Sequence, residues 1–282
     1  MTLKGGFRHF SFFAYGMKVI LSIITVNLNN AKGLEETIKS VIGQTYHSYE
    51  YIVIDGASTD GSTDVIKKYS SNINIHISEP DSGIFNAMNK GIKLAKGKYC
   101  LFLNSGDSFV SDDVLQNIFE QTDYSSPFIN GNQVNDWGDH KSTVKNKGRD
   151  LTLYDFYAGT IKHQATFIRR DLFDKYGLYD ESLKIVSDWK FFLEVIGLHN
   201  EQPTFVDIDI VNFSWDGIST DKKMQEKHDK EREKVLSECI PPSVRKDYEQ
   251  LQLFKNYEYL IIPMRNNKFL FGIVRFFVRL FR

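Results

Sequence analysis

Apolar residues follow two rhythms along this chain, and the rhythms alternate. Residues 19–26 (Val-Ile-Leu-Ser-Ile-Ile-Thr-Val) form a β-branched run, apolar on both faces, as a central parallel strand requires. Asn27-Leu-Asn-Asn30 breaks it, and Leu34, Thr37, Ile38, Val41 and Ile42 then recur at helical spacing. Residues 51–54 predict a second strand, closed by Asp55-Gly-Ala-Ser-Thr-Asp-Gly61, which is turn and helix-cap chemistry. A short helix to Tyr69 leads to residues 73–77, a third strand that alternates and so belongs nearer a sheet edge. Ile84, Ala87, Met88, Ile92 and Ala95 share a helical face, and residues 98–103 make a fourth strand that ends in Asn104-Ser-Gly-Asp107.

Strand, helix, strand, helix at this cadence predicts parallel β-α-β units with right-handed crossovers. The polar elbows after the first, second and fourth strands then gather on one sheet edge, where an open α/β sheet binds its ligand. Beyond Asp107 the pattern loosens. Residues 112–121 read as a helix, 127–131 as a short strand, and 132–147 as a polar loop. Residues 151–159 and 165–170 are short elements, 188–197 a helix carrying Trp189, Phe192, Leu193 and Ile196 on one face, and 203–214 a last strand. From 221 to 250 the composition turns heavily charged, as in solvated helices at the edge of a domain.

The 282 residues can bury a full core. Lys+Arg 35 against Asp+Glu 36 leaves no overall charge to draw nucleic acid. Cys100 and Cys239 match no metal or redox spacing, and together they fit a reducing, cytoplasmic compartment. Residues 1–16 hold Phe7, Phe10, Phe12, Phe13 and Tyr15 but no sustained apolar core, so they read as a loose extension before a domain starting at Met17. No Gly-x-Gly-x-x-Gly follows the first strand. Residues 91–98 have one residue too many for a P-loop, lack its Ser/Thr and precede a strand, so they read as a helix C-cap.

Five segments together carry a resemblance: Leu21-Ser-Ile-Ile-Thr-Val-Asn-Leu-Asn-Asn30, Ser40-Val-Ile-Gly-Gln-Thr45, Ile52-Val-Ile-Asp-Gly-Ala-Ser-Thr-Asp-Gly61, Asp81-Ser-Gly-Ile-Phe-Asn-Ala-Met-Asn-Lys-Gly-Ile92 and Leu101-Phe-Leu-Asn-Ser-Gly-Asp107. His163-Gln-Ala-Thr-Phe167, Ser187-Asp-Trp189 and Asp216-Gly-Ile-Ser219 extend it. The chain resembles the family 2 glycosyltransferases of GT-A fold, bacterial enzymes that build cell-surface polysaccharides from nucleotide-sugars. The resemblance implies an α/β, Rossmann-like, mainly parallel sheet flanked by helices over residues 17–220; beyond it, composition and spacing alone give a charged helical extension over 221–267 and a basic amphipathic helix over 268–282. It implies an inverting transfer from a nucleotide-sugar, with uridine diphosphate the expected carrier, to a saccharide or polyprenyl-linked acceptor.

By the same resemblance Thr25, Asn27 and Asn29 line the nucleoside pocket, Asp55 contacts base or ribose, Asp81 borders that pocket, and Asn104 joins the nucleotide-sugar contacts. Asp107 is the metal carboxylate, holding Mn²⁺ or Mg²⁺ against the diphosphate; Asn104 and Gly106 stand where the commonest pattern has further acids, so the metal site is thin. Asp188 is the general base and His163 touches diphosphate or acceptor. Each also has a plain structural reading: turn cap for Asp55, helix-start carboxylate for Asp81 and Asp188, satisfied core polar group for His163, core packing for Trp189 and Trp215. A nucleotidyltransferase and an inactive nucleotide-sugar-binding scaffold remain the alternatives. In the tail, Lys268, Arg275, Arg279 and Arg282 are spaced by seven, four and three and share a helical face opposite Phe and Val, which fits an anionic membrane surface at the inner face of the cytoplasmic membrane. The alternative there is packing on the enzyme itself or on a second subunit; donor sugar, acceptor, linkage and oligomeric state stay open.

Overall fold

The computed structural model describes residues 19–137, 140–213 and 224–280. Residues 1–16, Trp215 and the segment 216–219 therefore lie outside the described residues. Four parallel strands come first: β1 (Leu21–Asn27), β2 (Tyr49–Asp55), β3 (Ile75–Ser78) and β4 (Tyr99–Phe102). Between them run α1 (Ala31–Ile42), α2 (Ser62–Lys68) and α3 (Ile84–Leu94). Then follow β5 (Ser108–Phe109), α4 (Val114–Gln121), β6 (Phe128–Asp136), β7 (Lys141–Val144), α5 (Leu153–Ala158), β8 (Thr166–Arg169), α6 (Asp171–Tyr176), α7 (Ser187–Phe192) and β9 (Pro203–Phe213). Three helices close the described chain: α8 (Gln225–Cys239), α9 (Pro242–Asn266) and α10 (Lys268–Leu280).

The strands make one sheet in the order β3-β2-β1-β4-β8-β6-β9-β5, with β7 paired to β6. β8 runs antiparallel to both β4 and β6, and β6 is parallel to β9. The expected α/β architecture is thus present, and the alternating third strand sits at the edge. One face of the sheet is covered by α1 and α4: Leu21, Ile23, Tyr51, Val53 and Leu101 pack under Leu34, Ile38, Val41, Leu115 and Ile118. Each such buried aliphatic side chain contributes roughly 1.5–3 kcal/mol. Elsewhere Phe102 meets Phe173 and Tyr179, with ring centroids 6.3 and 5.5 Å away.

One sequence expectation needs correction. Residues 132–147 are not a polar loop: β6 runs on to Asp136 and pairs with β7. Its polar residues are buried because they find hydrogen-bond partners in β9 and within β6 itself. Asn132 Nδ2 donates to Asp207 and Asp209 at 2.9 and 3.0 Å, and Gln133 Nε2 donates to Asn135 at 2.8 Å. The 91–98 segment does hold a helix C-cap, since α3 ends at Leu94 with Ala95 as its C-cap. Gly97 donates its N–H to Ser22 Oγ at 2.9 Å, and the buried Glu50 carboxylate takes the Ser22 hydroxyl at 2.6 Å.

By contact density the chain divides into two compact units: Met1–Asp150 with Lys162–Lys184 and Gln202–Gly217, and Leu151–Ile161 with Ile185–Glu201 and Ile218–Arg282. The whole sheet belongs to the first unit.

A Cβ at Gly97 would sit 2.5 Å from Ser22 N and 2.6 Å from the Leu21 carbonyl carbon, and main chain cannot step aside as a flexible side chain does. Gly97→Ala is expected to destabilise by about 3 kcal/mol or more, read as a lowered urea midpoint with an unchanged slope.

Candidate active site

The carboxyl ends of β1, β2 and β3 are joined by one carboxylate. Asp55, the last residue of β2, is fully buried. Its Oδ1 accepts from Asn27 Nδ2 at 2.7 Å and from Ser58 Oγ at 2.5 Å; its Oδ2 accepts from Ser58 N–H at 3.0 Å and Ser78 Oγ at 2.7 Å. These donors fill the acceptor capacity of a carboxylate. Burial alone would raise the Asp55 pKa, but the bonds from Ser58, Ser78 and Asn27 outweigh it and hold the carboxyl below its ordinary value. Asp55 thus faces protein donors where a base or ribose contact was expected.

The neighbouring elbow residues are locked by the same chemistry. Asn29 takes a left-handed conformation, φ +51°, donates its N–H to Ser58 Oγ at 2.8 Å and accepts the Thr59 N–H at 2.8 Å. Asp60 accepts the Ala31 N–H at 2.7 Å, tying the second elbow to the start of α1. Thr25 does not line the edge: it is buried in β1, with its hydroxyl 3.0 Å from the Tyr51 hydroxyl. Asp81 does lie beside the second elbow. Its Oδ1 accepts the Gly83 N–H at 3.1 Å, and its Oδ2 would be 2.7 Å from a Cβ on Gly56. Only glycine at position 56 admits that approach.

The fourth elbow is held from below by α1. Thr37 Oγ1 accepts the Gly106 N–H at 3.0 Å and donates to the Asp107 carbonyl at 2.7 Å; the Asn104 carbonyl is 3.3 Å away. Gly106 has φ +105°, a conformation that glycine supplies without strain. Asn30 Nδ2 donates to the Ser105 carbonyl at 3.1 Å. Just past the end of α1, Gln44 takes the Leu115 N–H and gives to the Ser111 carbonyl at 2.7 Å. The 40–45 motif is therefore the fastening of the loop that carries Asp107.

Asp107 is 4% exposed, and the Asn104 Oδ1 beside it in the elbow is buried with no hydrogen-bond partner. A carboxylate and an orphaned amide oxygen are hard oxygen donors, the type that suits Mg²⁺ or Mn²⁺. Among the described residues no group of three or more His, Cys, Asp or Glu could hold a metal. The donor set fits an ion shared with a diphosphate, not one caged by protein alone. His163, also in the first unit, opens a 3-10 turn (His163–Ala165) into β8, half-buried.

Asp188 belongs to the second unit and is described with its own neighbours. It lies in the first turn of α7, behind an N-cap, Val186, that offers no side-chain cap. The next residue, Trp189, is buried, and its Nε1 donates to the Phe156 carbonyl at 2.9 Å, so it is a packing residue. Arg232 of α8 lies over the Trp189 ring, 4.0 Å from its centroid, and donates to the Phe156 and Tyr157 carbonyls at 3.1 and 3.2 Å. Burial lowers the Arg232 pKa, and the charges of Asp229 and Asp188 oppose that shift. Glu231 accepts the Ile185 N–H at 2.9 Å. The charged helix α8 thus grips the approach to Asp188 through adjacent residues. Thr37, Ser58, Ser78 and Arg232 were not singled out from sequence as functional.

Two outcomes follow from these bonds. Because its folded pKa is depressed, Asp55 adds stability in full above the unfolded value of about 3.9 and loses it as pH falls through the folded value. The melting temperatures of wild type and Asp55→Asn, well separated at neutral pH, are expected to converge on acidification. Thr37→Val keeps the shape but strands the Gly106 N–H, at a cost of about 1–3 kcal/mol, seen in urea unfolding together with weaker nucleotide binding.

Comparison with known proteins gives the same family over most of this ground. The family model for glycosyl transferase family 2 matches residues 22–177. A "PGL/p-HBAD biosynthesis glycosyltransferase" of Mycobacterium bovis (strain BCG / Pasteur 1173P2) is 33% identical over 181 residues, covering 61% of this chain and 68% of that protein. Among solved structures, S. aureus TarS 1-349 in complex with UDP-GlcNAc aligns with TM-score 0.58 at 20% identity, over 71% of this chain and 60% of that one. The mannosyltransferase PcManGT from Pyrobaculum calidifontis, in complex with GDP-Man and Mn²⁺, aligns with TM-score 0.54 at 15% identity, over 66% and 54%. Both alignments span less than two thirds of the solved chain and, at these identities, speak to fold. The chain belongs to glycosyl transferase family 2: it is a glycosyltransferase of GT-A fold.

Proposed function

We propose that this enzyme is an inverting transferase that moves a sugar from a uridine diphosphate donor to a saccharide acceptor carried on a lipid, at the inner face of the cytoplasmic membrane, in surface glycan synthesis. The observation that carries this reading is the fourth elbow, where the buried Asp107 carboxylate and the unpartnered Asn104 oxygen end a strand on the ligand edge of the sheet. The names of the matched proteins support the setting: a PGL/p-HBAD biosynthesis glycosyltransferase, and a fold neighbour solved with UDP-GlcNAc.

In this reading Asn27, Asn29 and Asp81 border the nucleoside, with Asp55 holding Asn27 and Ser58 in place for it. Asp107 and Asn104 face the diphosphate, and a divalent ion bound there would neutralise charge on the departing group. Asp188 takes the proton of the acceptor hydroxyl as that oxygen attacks the anomeric carbon. The bond from anomeric carbon to diphosphate oxygen breaks, and its electron pair leaves with the nucleoside diphosphate. His163 contacts diphosphate or acceptor.

Titration of UDP with Mn²⁺, and then with EDTA, is expected to show micromolar binding (about −8 kcal/mol) that is lost without metal and in Asp107→Ala. Binding indifferent to both would keep the nucleotide site and sink the metal role; preference for GDP or dTDP would overturn the carrier. Asp188→Asn should retain UDP affinity while losing turnover by a factor of at least 100, and full turnover in that variant would remove Asp188 as base.

A further inference from the structure

Helix α10 leaves an apolar surface uncovered. Phe269, Phe276, Phe277 and Val278 are 76, 63, 54 and 52% exposed, and Leu270, Phe271 and Ile273 are also exposed. Phe269, Gly272, Ile273, Phe276 and Phe277 line an open apolar groove. At 100° per residue, Lys268, Arg275 and Arg279 fall on one narrow strip, while Phe269, Ile273, Phe276, Phe277 and Leu270 sweep round the other side. The helix is 13 residues long, about 20 Å, against roughly 30 Å of bilayer hydrocarbon. Among the described residues no helix is long and apolar enough to cross a membrane.

Charge decides what covers this face. The last acidic residue of the chain is Glu258, and Arg265, Lys268, Arg275, Arg279 and Arg282 follow it. Two copies meeting through the apolar face would leave the cationic strip unneutralised, whereas an anionic bilayer takes up both the apolar face and, through its phosphates, the strip. A polar strip of Lys and Arg beside a broad Phe-rich face is the pattern of a helix lying in the plane of a bilayer. The preceding helix continues the theme, since Leu253, Phe254, Tyr257, Tyr259 and Ile262 of α9 are exposed as well.

We propose that α10 lies in the headgroup region of an anionic bilayer, with Phe269, Ile273, Phe276 and Phe277 directed into the acyl boundary and Arg275 and Arg279 on lipid phosphates. The purpose of this contact rests on the lipid-linked acceptor proposed above; the contact itself does not, and is measured without any glycosyl transfer. The full chain is sedimented with vesicles of phosphatidylcholine alone or containing about one third phosphatidylglycerol. Wild type is expected to bind the anionic vesicles at least tenfold more tightly than the neutral ones, less so in high salt. Phe276→Ser with Phe277→Ser should abolish binding, and Arg275→Gln with Arg279→Gln should remove the preference for anionic lipid, with UDP affinity unchanged in both. Absence of vesicle binding by wild type overturns the proposal, as does full binding by the double Phe variant. A dimer in free solution that the Phe changes dissolve, without vesicle binding, would assign the face to a second copy instead. Vesicle binding with no transfer activity would leave this contact standing and count against the proposed acceptor.

Discussion

Three strand ends are held in register by one buried negative charge. Asp55 draws Asn27 from β1, Ser58 from its own elbow and Ser78 from β3, and no water is needed to complete its shell. An ionised carboxylate with no water is tolerable only when donors surround it, so the elbow sequence must place hydroxyls and amides where a generic turn would accept many residues. Ala57 holds φ +60° between Gly56 and Ser58, a conformation alanine resists, and the Ser58 N–H then reaches Oδ2. Thr37 does the corresponding work under the fourth elbow. What these two anchors leave uncommitted is a short set of acceptors: the Asn27 and Asn104 amide oxygens, both buried and unpartnered.

The second unit solves a related problem with a cation. Arg232 is desolvated, stacked on Trp189 and bonded to two carbonyls of α5, so its position is fixed by geometry that lysine could not reproduce. A half-buried guanidinium is favoured by negative charge nearby, and Asp229 and Asp188 supply it. The helix with the most charged composition is therefore partly interior, gripping α5 and the lead into α7 with one face while solvating the other.

The fold was legible because its signal is carried by long apolar runs. Residues 19–26 and 51–54 could be read as nothing but strands, and Leu34, Ile38 and Val41 recur as a helix face should. The second half of β6 was hidden because Asn132, Gln133 and Asn135 look like loop composition until their partners are known. The acids and amides, Asp107 and Asp188 among them, could be named as candidates from motif alone. The hydroxyls could not: Ser58, Ser78 and Thr37 are common surface residues, and only the tertiary path aims them at Asp55 or Gly106. Trp189 was ambiguous in sequence because stacking on sugar and packing in a core select the same side chain; its indole hydrogen bond settles it as packing.

The chain enters the second compact unit, leaves it, returns and leaves again before the terminal helices complete it, since residues 151–161 and 185–201 belong with 218–282. Each unit is therefore assembled from three separate stretches of sequence. No single cut releases the sheet-bearing unit intact, and removing the charged tail would take α8 away from residues 151–161 and 185–201, with which it belongs. Divergence in such a layout must proceed by changing loops and surfaces in place, because neither unit can be exchanged as a cassette.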